Sequence, residues 1–294
     1  MIPFVREHAP AYGEVVRESP LVRRVTARNP GPFTYTGTQT FIVGEGDVAV
    51  IDPGPVDPTH LQALLAALAG DRVSLILTTH THADHSPLAR PLAEATGAPV
   101  RGLPAVRTED EAALEAGDDL AFRPDAPVAD GERFTGAGWT LEAIATPGHA
   151  SNHVCYALGE ERTLFSGDHV MGWSTTVVSP PDGDMGAYLE SLERVAAQGF
   201  ATLRPTHGPP IVEPEPFLAA YREHRLARER QVLDELDSGV ERIPDMVPTL
   251  YASVDRHLWP AAAHSLWAHL ITLVRDGRAI SDGAPTLAAR YAPA

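Results

Sequence analysis

The sequence predicts an α/β domain followed by a smaller helical one, and three observations carry that prediction. Short apolar runs with β-branched residues, such as Val48–Ile51 and Val73–Leu77, alternate with helical stretches over residues 1–213. The second of these runs stops at Thr-Thr-His-Thr-His-Ala-Asp-His, which places four potential metal ligands, His80, His82, Asp84 and His85, where a strand gives way to a helix. Layered α/β proteins collect their sites at such strand ends. Beyond Glu213-Pro214-Glu215-Pro216 apolar residues recur at helical spacing instead, so a boundary is expected there, dividing 1–213 from 214–294.

Taken in order, the first 20 residues or so show no assignable pattern, and Leu21–Ala27 reads as the first strand. The proline- and glycine-rich stretch Asn29–Thr40 cannot continue it. Thr40–Val43 and Val48–Ile51 then read as a hairpin, ended by Asp52-Pro53-Gly54. Residues 58–69 form an amphipathic helix on which His60 is expected at the surface. After the histidine-rich turn come a helix over Leu88–Ala95, stopped by Thr96-Gly97, and a strand over Pro99–Gly102. The acidic run Glu109–Asp119 is expected to be a solvated helix. Trp139–Ile144 is a strand leading to Pro147-Gly148-His149, and His153–Leu158 alternates as the next strand, burying Cys155 as a small core residue. A helix over Gly186–Gln198 completes this part.

His80 and His82, two apart on an extended turn, can aim at one ion, while Asp84 and His85 point at a second beside it. Imidazole with carboxylate is a zinc-type ligand set that iron and manganese also accept. His-x-His-x-Asp-His after a buried strand resembles the signature of the metallo-beta-lactamase superfamily of hydrolases. Its later motifs recur in order: Pro-Gly-His offers His149, Phe-Ser-Gly-Asp offers Asp168, and Pro-Thr-His-Gly offers His207. The resemblance implies that His80, His82 and His149 hold one divalent ion, that Asp84, His85 and His207 hold another, and that Asp168 bridges them. It also implies a four-layer αββα sandwich, two mixed sheets with helices on both outer faces. The implied activity is binuclear hydrolysis by a hydroxide held between the ions.

Around the ligands, Asp52 either supports them from behind, because a ligating imidazole needs a partner on its other nitrogen, or merely forms a turn. Asp84 is a candidate proton carrier for the leaving group as well as a ligand. Tyr35, His153, Trp173 and Tyr188 are candidate pocket residues, with packing as the alternative for Trp173 and Tyr188. Trp173 lies on the loop that leaves Asp168 directly.

Composition narrows the partners. No apolar run reaches the roughly 18 residues a membrane span needs, and the N-terminus lacks a basic start followed by an apolar core, so the cytoplasm is the expected location. The chain has no lysine; residues 1–213 hold 28 acidic residues against 14 arginines, and 214–294 hold 11 against nine. The net charge of −16 therefore sits almost wholly on the first domain. Such a surface opposes the counterion release that drives nucleic-acid binding, and DNA is not an expected partner.

The second domain opens with a long helix, Phe217–Leu236, bearing Arg222, Arg225 and Arg228 at helical spacing. Ile243-Pro244 reads as a break, followed by helices over Val247–Leu258 and Ala261–Asp276 and a strand over Arg278–Ile280. This outline resembles the winged-helix domain of the beta-lactamase-like protein two branch, which includes a mitochondrial endoribonuclease and many bacterial hydrolases. Two functions follow from the resemblance: hydrolysis of a small carbonyl substrate (thioester, ester, lactone or lactam), or cleavage of single-stranded RNA. The three arginines either hold an anionic substrate or pair with Glu223 and Glu229. The nearly uncharged third helix is expected to be buried against the first domain or a second copy of the chain, rather than to read DNA.

Overall fold

The computed structural model describes residues 2–106 and 117–294. Strands β1 (Val15–Arg17), β2 (Val22–Thr26), β3 (Gln39–Glu45), β4 (Asp47–Ile51), β5 (Arg72–Leu77), β6 (Val100–Gly102) and β7 (Ala126–Pro127) lie side by side in that order. Pairing is antiparallel from β1 to β4 and parallel from β4 to β7. The second sheet holds β8 (Arg133–Gly136), β9 (Trp139–Ala145), β10 (Val154–Leu158), β11 (Thr163–Gly167) and β12 (Thr202–Pro205). Within it, β11 and β12 run parallel and the other neighbours antiparallel.

Side-chain alternation divides each strand between two apolar layers. Phe41, Val43, Ile51 and Leu77 of the first sheet meet Leu141, Tyr156 and Phe165 of the second in the layer between the sheets. On the outer side, Ile42, Val50 and Ile76 pack under Leu64 and Leu92, from α1 (Pro58–Ala67) and α2 (Ala89–Thr96). The other outer layer packs Cys155, Leu164 and Leu203 against Tyr188 and Leu192 of α3 (Met185–Ala196), and against Phe217 and Tyr221 of α4 (Pro214–Asp237). The result is the four-layer αββα sandwich. Each fully buried Leu, Ile or Phe contributes roughly 1.5–3 kcal/mol, so these layers, more than strand propensity, hold the sheets together.

Local chemistry starts and stops the helices. Asp57 caps α1 by accepting from the Thr59 N–H at 2.8 Å, Pro58 sits in its first turn, and Gly97 ends α2 in the left-handed conformation.

Beyond α4 come α5 (Ile243–Leu250), α6 (Trp259–Arg275) and a ribbon of β13 (Ala279–Ser281) with β14 (Tyr291–Pro293). Leu266, Leu270 and Leu273 of α6 close a core with Val232 and Leu236 of α4 and Met246 and Val247 of α5. Ala268, by contrast, joins the outer layer of the second sheet. The long helix α4 therefore serves both cores, its first half the sandwich and its second half the C-terminal region. No helix among the described residues is long and apolar enough to cross a membrane.

Three expectations fail here, and a fourth falls mostly outside the described residues. His60 is buried, not at the surface: its Nε2 lies 2.9 Å from Thr40 Oγ1 because α1 turns that face onto β3. Ile243-Pro244 does not interrupt a helix but begins α5, since proline at a first turn forfeits no hydrogen bond. The helix expected over Val247–Leu258 is instead the end of α5, an irregular stretch and a 3₁₀ turn at Arg256–Leu258. Most of the acidic run lies outside the described residues, but Gly117–Asp119 is extended and clasps the histidine turn. There Gly117 O accepts from Ala83 N at 3.1 Å, and Asp119 N donates to Thr81 O at 2.6 Å.

Candidate metal centre

The ligand residues all arrive at one edge of the sandwich. Strand β5 ends in the His80–His85 turn, the β9–β10 connection carries His149, β11 runs into Asp168 and β12 into His207. Two clusters form. His80 Nε2 and His149 Nε2 lie 2.9 and 3.2 Å from His82 Nδ1. Asp84 Oδ2 lies 3.4 Å from His85 Nε2 and 3.1 Å from His207 Nε2. Asp168 reaches both, with Oδ2 3.5 Å from His207 Nε2 and 3.9 Å from His149 Nε2, and Oδ1 3.7 Å from His85 Nε2. The groupings His80–His82–His149, His80–His85–Asp168 and Asp84–His85–His207 can each hold a metal ion.

Hydrogen bonds behind the ligands set which nitrogen faces the centre. Asp52, held at a φ of 51°, is fully buried and collects four donors. The Thr79 backbone N–H donates to Oδ1 at 2.7 Å; Thr79 Oγ1, Thr206 Oγ1 and His85 Nδ1 donate to Oδ2 at 2.8, 2.8 and 2.9 Å. With its own proton committed to Asp52, Thr79 Oγ1 accepts from His80 Nδ1 at 3.0 Å, which turns the bare Nε2 of His80 inward. His149 Nδ1 donates to Val177 O at 2.7 Å, and His207 Nδ1 to Gly37 O at 3.3 Å, so the Nε2 of each ring also points inward. His85 Nε2 and Asp168 Oδ1 are buried with no hydrogen-bond partner among the described residues. Such orphaned atoms, facing each other across the clusters, are what a bound cation satisfies.

The electrostatics agree. Burial, and then the neighbouring imidazoles, push His80 well below the usual histidine range, and burial followed by His149 takes His82 down to about 3. Burial acts the same way on His207, but Asp168 and Asp84 overrule it and lift that imidazole to about 10; Asp84, Asp168 and Asp52 likewise hold His85 well above its ordinary value. Burial would raise Asp84 and Asp168, yet the His85 and His207 cations hold both carboxyls ionised. Three carboxylates gathered out of water demand positive charge beside them.

The pocket candidates separate. Tyr35 and Trp173 stack at 4.6 Å with their rings nearly parallel, and the Trp173 ring lies against Gly208, next to His207. His153 is buried beneath the centre: it accepts the Asp168 backbone N–H on Nε2 at 3.2 Å and donates from Nδ1 to Thr146 Oγ1 at 2.8 Å. It therefore positions Asp168 and does not line the pocket. Tyr188 is fully buried too, its hydroxyl donating to His169 O at 2.9 Å, so its part is packing. Its backbone presses on Gly148, where φ is +138° and a Cβ has no room, and this contact fixes the loop of His149.

The arginines of α4 do not face the opening. Arg222 pairs with Glu193, and Arg228 donates to Leu250 O at 2.6 Å while covering the Tyr251 ring. Arg225 is buried, donating to Thr176 O. Glu223 pairs with Arg230 and Glu229 with Arg278 instead. Cys155 is buried and its thiol is pushed up to about 12 by burial, which suits a core residue.

Several supporting residues escaped the sequence reading. Thr38 donates to Asp84 Oδ2 at 3.2 Å, Thr79 and Thr206 tie the two clusters to Asp52, and Asp118 accepts from Thr81 Oγ1 at 3.2 Å. Threonines flanking His80 and His207 were the available signal, but a hydroxyl beside a ligand does not announce its partner.

Clusters of this kind, at the mouth of two packed sheets, place the protein in the class of metal-dependent hydrolases. Residues 34–207 match the Metallo-beta-lactamase superfamily model, and the chain belongs to that superfamily. Residues 243–287 match the Beta-lactamase associated winged helix domain. The chain is 36% identical to an atrochrysone carboxyl ACP thioesterase of Aspergillus chevalieri, across 77% of this chain and 69% of that one. It is 32% identical to the Beta-lactamase-like protein 2 homolog of Drosophila melanogaster, across 90% and 91%. Among solved structures, a metallo-beta-lactamase family protein of Thermus thermophilus superposes with a TM-score of 0.73 at 25% identity, over 94% of this chain and 99% of the other. TTHA1623 in a di-iron-bound form gives 0.53 at 29% identity, over 68% and 98%.

Proposed function

We propose that the protein hydrolyses a small carbonyl substrate, a thioester before an ester, lactone or lactam, using two divalent metal ions. The observation that carries the reading is the reach of Asp168, whose carboxylate lies within 3.9 Å of ligand nitrogens in both clusters. His80, His82 and His149 would hold one ion and Asp84, His85 and His207 the other, with Asp168 in reach of both clusters; zinc suits the donor set, with iron or manganese as alternatives. Bound there, the ions supply Lewis-acid polarisation of the carbonyl and activation of water near neutral pH. The di-iron relative supports a pair of ions, and the thioesterase relative supports the substrate class.

The chain's own residues do the rest. Asp52 keeps both clusters in register through Thr79, Thr206 and His85, and His153 holds the Asp168 backbone. Gly31, Pro32 and Phe33 lean over an opening of about 90 Å³ floored by His82, Asp84, Asp168 and His207. Asp84 faces this opening, and its ionised carboxylate is placed to take a proton from water and pass it to the leaving group. The domain division at residue 213 follows the same reading, with the C-terminal region shaping access to the centre. Cleavage of RNA draws less support, because Arg222, Arg225 and Arg228 are committed elsewhere and the net charge is −16.

The test gives metal-loaded enzyme, at equal concentration, an acyl thioester, a chromogenic lactam and single-stranded RNA, with elemental analysis alongside. The expected result is about two ions per chain and hydrolysis of the thioester above the other substrates. Less than one ion per chain after metal-replete expression, or RNA cleavage alone, would overturn the proposal.

A further inference from the structure

Next to the metal opening lies a larger cavity, of about 180 Å³, walled on one side by the sandwich and on the other by the C-terminal region. Pro32 and Phe33 line both spaces, so the cavity adjoins the opening over Asp84 and Asp168 at these two residues. Trp173, stacked on Tyr35 and lying against Gly208 beside His207, lines the larger cavity. Tyr251 and Ala261 close the far side, and Arg228 keeps the Tyr251 ring in place from 4.0 Å above it.

The lining is apolar and hydroxylic, with no charged side chain among the described residues. Its imidazole, His224, is held neutral at ordinary pH: burial, then Arg225 and Arg228, bring it down to about 4. A phosphate or carboxylate placed here meets no charged side chain in the lining, because Arg225 and Arg228 stand behind it and donate to Thr176 O and Leu250 O, and desolvating the anion is costly. An uncharged apolar group meets no such penalty. The indole Nε1 of Trp173 is buried without a partner among the described residues, an uncommitted donor in the cavity wall.

We propose that this cavity receives the apolar acyl group of the substrate, and that the C-terminal region thereby sets the size of acyl group the enzyme accepts. The inference rests on the carbonyl-hydrolase reading above and adds the place and chemistry of the non-reacting half of the substrate. The leaving thiol, with any charged carrier, stays on the solvent side of the opening. Ala261 is then a specificity-determining residue: a phenylalanine there projects into the cavity, whereas Phe33→Ala enlarges it.

The experiment measures kcat/KM for acetyl, octanoyl and benzoyl thioesters of one thiol, in the wild type, Ala261→Phe and Phe33→Ala, each checked for metal content and Tm. The wild type is expected to prefer the octanoyl or benzoyl group. Ala261→Phe should cut the ratio of octanoyl to acetyl by about tenfold or more, since a few methylenes in an apolar pocket discriminate on that scale. Phe33→Ala should move the ratio towards bulkier groups. Thioester hydrolysis with the same ratio in all three proteins overturns the acyl site while leaving the hydrolase reading intact. If no thioester is turned over, the choice of a thioester substrate fails, and calorimetric titration with 2-naphthol, uncharged at neutral pH, decides the cavity by itself: binding weakened about tenfold by Ala261→Phe supports it, and equal binding refutes it.

Discussion

Asp52, behind the metal clusters, and His269, in the C-terminal region, are both fully buried, and the fold treats them in opposite ways. Asp52 accepts four hydrogen bonds from three residues, one on the metal turn and one beside each end of the ligand set, and so joins β4, β5 and the loop after β12. His269, equally buried on α6, has neither ring nitrogen partnered among the described residues, and Ala268 and Leu270 flank it in the helix. The first arrangement specifies positions to a fraction of an ångström, because a carboxylate satisfies its donors only in one geometry. The second specifies shape alone, which leaves the C-terminal wall free to vary without disturbing the chemistry.

If that contrast is right, changes at the polar centre cost most. Asp168→Ala removes the carboxylate that spans both clusters, and its loss of kcat/KM should exceed the roughly 100-fold typical of removing a partner behind the ligands. Steady-state kinetics with metal-replete protein, compared with Trp173→Ala, measure it, and equal losses in the two variants would break the comparison. Asp52→Asn should come next, with metal affinity lowered about 10- to 100-fold, read by competition with a chelator. A native affinity in that variant would mean that Asp52 shapes only a turn.

Buried histidines outside the metal clusters should make stability depend on pH. Burial keeps His269 at about 3 in the folded chain, against about 6.5 when unfolded. The unfolded chain therefore binds more protons between these values, and stability is lost as pH falls from 6.5 towards 3, by at most ~1.4 kcal/mol per pH unit for that residue. His60, at about 4 for the same reason, adds to the slope. Urea midpoints measured from pH 7 down to 5 should fall in the wild type and fall less steeply in His269→Leu. Parallel curves would show that the buried imidazole has found a partner, such as a water molecule. The smallest effect is expected from Trp173→Phe, which keeps the stack on Tyr35 and should change KM by no more than a few fold at a half-buried aromatic contact worth about 0.5–1.5 kcal/mol.

The residues that the fold gathers into the candidate metal clusters were legible in the sequence because their chemistry admits few alternatives. His80, His82, Asp84 and His85 follow a buried strand at a spacing that serves little but a metal, and His149, Asp168 and His207 stand in turns of matching composition. Strands with β-branched alternation, and helices ended by Gly97 or begun by Asp57, announced themselves through local rules that act within a few residues.

What the sequence could not determine depends on contacts between distant segments. His60 reads as a surface residue in α1 and is buried by β3; Tyr188 reads as a pocket aromatic and is sealed by the His149 loop; His153 reads as pocket lining and lies under Asp168. The arginines of α4 look like an anion site until Glu193, Leu250 and Thr176 meet them from other elements. In the same way, the cavity between Phe33 and Ala261 exists only because segments more than 200 residues apart pack face to face. Ligand chemistry is written in residue type and spacing, whereas burial, pairing and the shape of a pocket are properties of packing, which only the folded chain decides.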